Sequence, residues 1–353
     1  MCSALTFRVF TVGGTNGIGE ATAKAFIKNT VSPRVYLVGR SSEAAERIIT
    51  ECKALNKDGN VEFIKADVSE LRDVDRVCKE IESREKSINL IVQTQGNLNM
   101  RNRDGVWALS LSSMIPTLID TFAESAEGLD RKMSLNYYSR MRFIHNLLPL
   151  LKNASTTTPN FSRSLSVLAP GGGGKINLDD MDLKNTFSGP KCAAYTTLYN
   201  DFMVGEWAAR APGTTFEHTF PSIVKTGIMR ELPLWVRVTA KAFSPLISLF
   251  SVSLEETGAR QLFHATSGIY KPFKSASDSA LSAGIPFSKE LGVAEGSDGK
   301  EGSGAYLVNW NGDIVQPKGF QKEYRQQGYS KMIWEHTMAV FERVEKLNGN
   351  KAV

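Results

Sequence analysis

The chain has 353 residues, is 42% hydrophobic and 22% charged, and carries a formal net charge of +5. This ordinary globular composition excludes a disordered or fibrous chain, and no unbroken apolar run reaches the roughly 18 residues that a membrane span needs. The nearest stretch, 232–254, is interrupted by Arg237 and Lys241. The basic residues group only loosely (Arg101 with Arg103, Arg140 with Arg142, and Arg230, Arg237 and Lys241), with no stripe interleaved with aromatics. Nucleic acid is therefore not an expected partner. Cys2, Cys52, Cys78 and Cys192 form no Cys-x-x-Cys pair, and the few histidines show no ligand spacing, so no metal site is expected. The opening MCSALTFRVF lacks the charged start and cleavage site of a secretory signal, and a cytoplasmic location is expected.

The first predicted element is a β-rich run containing Phe7, Val9, Phe10 and Val12. It leads into the turn VGGTNGIGE, and a helical pattern through Ala21, Ala23, Ala25 and Phe26 follows. Strand, glycine turn and helix in this order suit a dinucleotide phosphate. Gly13, Gly17 and Gly19 allow a tight turn and close approach, and the helix start offers unpaired N–H groups. Strands are then expected at 34–39, 61–68, 88–94, 165–168 and 215–220. Helices are expected at 44–55, 70–84, 114–126, 129–151 and 193–210. Polar stretches at 153–163, 170–190 and 271–304 read as loops, the last of them flexible. A final strand at 305–310 and a helix over 318–347 close the chain. Alternating strands and helices predict an α/β fold, a Rossmann-like doubly wound parallel sheet with helices on both faces. The layout is one domain: residues 1–270 with a lid at about 227–254, the 271–304 loop, and 305–353 completing the same unit.

These motifs resemble the short-chain dehydrogenase/reductase family, over about residues 7–267, and in particular fungal members that tailor secondary metabolites. The family's Thr-Gly-x-x-x-Gly-x-Gly loop corresponds to Val12-Gly13-Gly14-Thr15-Asn16-Gly17-Ile18-Gly19. Gly39-Arg40-Ser41 closes the second strand, where NAD-selective members carry an acid. Arg40 can grip a 2′-phosphate instead, which points to NADP(H). Asp67 and Val68 correspond to the pair beside the adenine, and Asp67 also reads as a cap for the next helix. The family's Asn-Asn-Ala-Gly is here Gln93-Thr94-Gln95-Gly96, so only Gly96 survives, with Asn97 after it. Asn136 corresponds to the helix asparagine that supports a proton-relay water. Pro221 to Thr226 corresponds to the segment around the nicotinamide, with Ser222 for glycine, Val224 retained and Thr226 as a carboxamide or pyrophosphate contact.

The resemblance implies a catalytic serine, tyrosine and lysine. Ala169 stands at the serine position, Tyr195 at the tyrosine and Tyr199 at the lysine. A lysine about 5 Å from the phenol would lower its pKa by about 2 units, and a neutral Tyr199 cannot do so. Tyr195 remains a candidate proton donor or a packing aromatic. Tyr199 shares its helix face at i, i+4. Lys191 lies just upstream. His218 is a candidate base or a satisfied core histidine.

The stretch 227–254 is rich in large apolar residues such as Met229, Trp235, Phe243 and Phe250, which suits a lid over a hydrophobic small molecule. A packed helix or a membrane-surface contact are the other readings of this stretch. Two functions stay open. One is an NADP(H)-dependent oxidoreductase acting on a carbonyl or alcohol. The other is a non-redox cyclase or isomerase that keeps the NADP site. A non-catalytic NADP-binding sensor is a third. The resemblance also implies a homo-oligomer through the long central helices.

Overall fold

The structure is a computed structural model and describes residues 7–96, 124–157, 159–224, 251–274, 284–288 and 292–350. Strands β1 (Arg8–Val12), β2 (Arg34–Gly39), β3 (Asn60–Lys65), β4 (Leu90–Gln93), β5 (Arg163–Val167), β6 (Thr215–Thr219) and β9 (Ala305–Val308) form one sheet in the order β3-β2-β1-β4-β5-β6-β9. Every neighbouring pair is parallel. The strand order reverses direction between β1 and β4, which leaves a crevice at the carboxyl ends of these strands. Two further short strands, β7 (Ile223–Val224) and β8 (Ser251–Val252), pair with each other outside the sheet.

Alternation along the strands feeds two cores. Phe10, Val12, Tyr36 and Val38 point to one face, and Val9, Val35 and Leu37 to the other. The second face is covered by helices α1 (Gly17–Asn29), α2 (Ser42–Leu55) and α7 (Leu254–Thr266). Helix α2 starts at Ser41, whose hydroxyl accepts the Ala44 amide at 3.2 Å. Helix α7 packs directly on α1, because Gly258 lies against the Ala21 carbonyl; a Cβ there would sit 2.5 Å from that oxygen.

The first face is covered by α3 (Leu71–Arg84), α5 (Ser139–Thr156) and α6 (Gly189–Arg210). A short turn, α4 (Arg131–Met133), enters α5 through a π-helical turn, Ser134–Tyr138. Two C-terminal helices, α8 (Gly319–Gln326) and α9 (Tyr329–Asn350), lie outside α5 and α6. Trp334 packs edge-on to Trp207 of α6 with ring centroids 4.7 Å apart, and Phe341 packs on His145 of α5. Glu345 of α9 pairs with Arg142 at 2.7 Å. The outer side of α5 is thus covered by the chain's own last helix.

Several expectations shift. The helix expected over 318–347 is two helices, broken where Gly328 takes a φ of +79°. Helix α7 was not expected. The loop expected over 153–163 is partly helix and strand, and Phe161, Ser162 and Arg163 are buried. Of the helix expected at 114–126, residues 114–123 lie outside the described residues, and Glu124 instead bridges to Asp130. The proposed lid lies outside them as well, except for 251–254. No helix among the described residues is long and apolar enough to cross a membrane.

One buried pair makes the sheet pH-sensitive. Arg163 on β5 and Glu217 on β6 are both buried, with Nη1 and Oε1 3.2 Å apart. The guanidinium donates instead to the carbonyls of His264, Ser267 and Tyr270. Neither Glu217 oxygen has a hydrogen bond among the described residues, and burial pushes the carboxyl up to about 8 against the pull of Arg163. The unfolded value is about 4.3, so the folded chain holds the extra proton between the two and its stability falls as pH rises through that window, by at most about 1.4 kcal/mol per pH unit. Glu217→Gln should flatten this slope. Thermal unfolding measured from pH 5 to pH 8 checks it, and an unchanged slope contradicts the assignment.

Candidate active site at the carboxyl edge of the sheet

The turn after β1 is built for close approach. Gly13 has a φ of +79° and Gly17 of +57°, a region that L side chains rarely adopt. A Cβ on Gly13 would lie 2.7 Å from the Thr94 hydroxyl, and one on Gly19 would lie 2.5 Å from the Gly13 carbonyl. Thr94 closes the turn from below by donating its hydroxyl to the Val12 carbonyl at 3.0 Å. Asn16 is the N-cap of α1, yet its side chain caps nothing. The first amides of α1 therefore remain available to an anion, supported by the helix dipole. Ile18 is half-buried under the second core. Thr15 rests over Gly39, where a Cβ would sit 2.5 Å from its hydroxyl, so the turn and the end of β2 form one surface.

Arg40 continues that surface. It is exposed and forms no ion pair or hydrogen bond among the described residues. Ser41 is committed to capping α2. Asp67 does not cap α3, whose N-cap is Glu70. Its carboxylate pairs with Arg131 at 2.5 Å and accepts from Ser69. Val68 is buried beside it in the first core. These residues fit the adenosine end of a dinucleotide: a free guanidinium at the end of β2, no acid beside it, and an open helix terminus next door.

Past β1, the ends of β4 and β5 carry a polar network that motif reading missed. Arg140 of α5 is completely buried. Its guanidinium donates to the carbonyls of Gln93 at 3.2 Å, Val167 at 3.0 Å and Leu135 at 3.3 Å, to that of Gln95, and to the Ser166 hydroxyl at 2.7 Å. No carboxylate among the described residues faces it. Burial pulls it down to about 9, which leaves it charged at neutral pH. Ser166 donates to the Asn200 side-chain oxygen at 2.9 Å, and the Asn200 amide donates to the Asn136 carbonyl at 3.0 Å. Asn136 sits in the π-helical turn with its side-chain oxygen beside Gly96, where a Cβ would lie 3.2 Å from it. Gln93 Nε2 and Gln95 Oε1 are buried nearby without hydrogen-bond partners among the described residues.

The two tyrosines of α6 make no hydrogen bond to this network. The Tyr195 hydroxyl accepts the Asn177 amide at 2.6 Å. Tyr199 is wholly buried among Tyr137, Tyr195 and His336, and donates to the Met181 carbonyl at 2.9 Å. Burial holds its phenol well above the usual range. One residue along, the Asn200 side chain meets Asn136 and the end of β5. His218 is also fully buried. Its Nδ1 lies 2.7 Å from Asp201, and its Nε2 accepts the Ala169 amide at 3.1 Å. Nε2 thus holds the loop after β5, and Nδ1 ties the ring to α6. Lys191 is exposed on the first turn of α6. Asn97 and Thr226 lie outside the described residues. Among those described, no group of His, Cys, Asp and Glu could hold a metal ion.

Val224 lies on β7 opposite Val252. Two residues earlier, Ser222 has a φ of +70°. A non-glycine residue there costs about 1–2 kcal/mol, partly offset by the greater freedom glycine has when unfolded. Ser222→Gly should therefore raise stability by up to about 1 kcal/mol, read by thermal or denaturant unfolding. A loss of stability would mean that the Ser222 side chain compensates the strain.

A short chain dehydrogenase pattern matches residues 8–157. An oxidoreductase of Emericella nidulans is 34% identical over 94% of this chain and 92% of its own length. A short-chain dehydrogenase/reductase of Stachybotrys chartarum is 30% identical over 96% of this chain and 92% of its own. Among solved structures, an NADPH-dependent reductase involved in bacilysin biosynthesis superposes with a TM-score of 0.54 at 15% identity, covering 74% of this chain and 92% of that one. With the parallel sheet, the glycine turn and these full-length fungal relatives together, the chain belongs to the short-chain dehydrogenase/reductase family.

Proposed function

We propose that the protein is an NADP(H)-dependent oxidoreductase of the cytoplasm that acts on the carbonyl or alcohol of a hydrophobic small molecule. The observation that carries this reading is the continuous surface from the open start of α1, across Thr15 and Gly39, to the unpaired Arg40. Pyrophosphate suits the α1 amides, and a 2′-phosphate suits a free guanidinium with no acid beside it. A bound dihydronicotinamide supplies a hydride. The chain's part is to hold the ring's side of the crevice through Gly96, Asn136 and Val224, with Thr226 following, and to provide a proton for the substrate oxygen. Tyr195 is the proposed proton donor. Its oxygen already accepts the Asn177 N–H, which stabilises a developing phenolate, and no described residue takes its own proton. The apolar residues of 227–254 suit a hydrophobic substrate.

A second reading, a cyclase or isomerase on the same fold, is favoured by one finding. The α6 residue that meets Asn136 is Asn200, and the position after β5 is Ala169, so no lysine or serine assists the tyrosine. Such an enzyme would bind NADP(H) without consuming it.

Titration of NADPH fluorescence with the wild type and with Arg40→Ala tests the cofactor site. NADPH should bind more tightly than NADH, and Arg40→Ala should weaken NADPH by about 1–3 kcal/mol, roughly 5- to 150-fold, while leaving NADH unchanged. Binding of neither nucleotide would remove the oxidoreductase reading. Binding without NADPH oxidation across a broad set of carbonyl compounds would favour the second.

A further inference from the structure

We infer that Arg140 makes the site bind the reduced nicotinamide cofactor more tightly than the oxidised one. This inference rests on the proposed NADP(H) site and adds its redox preference. The observation is a full positive charge at the carboxyl ends of β4 and β5 with no counter-charge among the described residues. Arg140 is completely buried, and all its hydrogen bonds end on neutral oxygens, namely the carbonyls of Leu135, Gln93, Gln95 and Val167 and the Ser166 hydroxyl. In contrast, Arg142, two residues on, is held by Asp75 and Glu345. Buried charges are ordinarily paired, and a buried charge without a partner carries a large desolvation cost. An unpaired one, with the unpartnered Gln93 and Gln95 amide atoms beside it, marks this edge as electrostatically specialised.

The location gives the charge its consequence. In an open parallel sheet the dinucleotide lies across the reversal of strand order, with its pyrophosphate on the first helix and its far half over the strands beyond. Here those strands are β4 and β5. The two forms of the cofactor carry the same phosphates and differ by one positive charge on the nicotinamide ring. Arg140 therefore repels the oxidised form and leaves the reduced form untouched. A like charge within about 10 Å of the ring, at an effective dielectric of about 20, would separate the two affinities roughly tenfold or more.

The chain also holds its own control. Asn200 receives the hydrogen bond of Ser166, which in turn receives that of Arg140. Asn200→Asp adds a counter-charge at constant size, whereas Arg140→Lys keeps the charge and Arg140→Gln removes it.

The test is to measure dissociation constants for NADPH and NADP⁺ by calorimetry at pH 7 in the wild type and these variants, with thermal unfolding to identify folded protein. The wild type should prefer NADPH by roughly tenfold or more, Arg140→Lys should keep that preference, and Asn200→Asp and Arg140→Gln should bring the ratio to within about threefold of one. If Arg140→Gln does not fold, the wild type and Asn200→Asp still decide. Equal wild-type affinities, or a preference that survives in every folded variant, would overturn the inference while leaving the cofactor site intact. Binding of neither form would overturn the cofactor site and the inference with it.

Discussion

A sheet whose strands are all parallel cannot leave a face to water, and this constraint organises the whole molecule. The strands β1, β2 and β4 bury apolar side chains on both sides, so two layers of helix must cover them. On one side α1, α2 and α7 do this, with Gly258 letting α7 sit on the backbone of α1. On the other side α3, α5 and α6 do it, and α8 and α9 add a further layer. The edges of the strands are then the only part of the sheet that can meet a ligand. The crevice forms where the order turns from β2-β1 to β4-β5.

That edge is divided into two chemically different halves. The β1–β2 half is made of glycines, helix amides and an exposed arginine, and it offers hydrogen-bond donors to an anion. The β4–β5 half is a buried network running from Arg140 through Ser166 and Asn200 to Asn136. Packing keeps the halves rigid relative to each other, because Thr94 at the end of β4 bonds to Val12 in β1. A cofactor bridging both would meet polar groups already oriented, at little cost in reorganisation. The family relation does not depend on a complete catalytic set. The fold and the glycine turn are present, while Ala169 and Tyr199 stand where the resemblance implies a serine and a lysine, so chemistry must be argued from the residues present.

Much of the β1–β2 half was legible in the chain itself. A glycine-rich turn between a strand and a helix has a local cause, since backbone angles and missing side chains are properties of the segment. Arg40 could be noticed because one position after a strand decides what the ribose end meets. Helix α7 was overlooked although Ser253 and Glu256 form a cap-like pair, and the Ser253 hydroxyl does accept the Glu256 amide. The broken C-terminal helix had its signal in Gly328.

The β4–β5 half was not legible in the same way. Reading along α6 set Tyr195 and Tyr199 at the catalytic spacing, but a helix turns about 100° per residue, and a shift of one position sends a side chain to another neighbour. The π-helical turn at Asn136 adds a residue to the helix geometry where no periodicity would reveal it. Arg140 and Arg142 looked like scattered surface charge, yet both are buried, one unpaired and one held by carboxylates from two other helices. Sequence by itself determined the alternation of strands and helices, the glycine turn and the arginine at the end of β2, because each follows from neighbours within a few residues. Only the tertiary structure decided which side chains meet at the sheet edge, because burial and hydrogen-bond partners come from segments tens of residues apart.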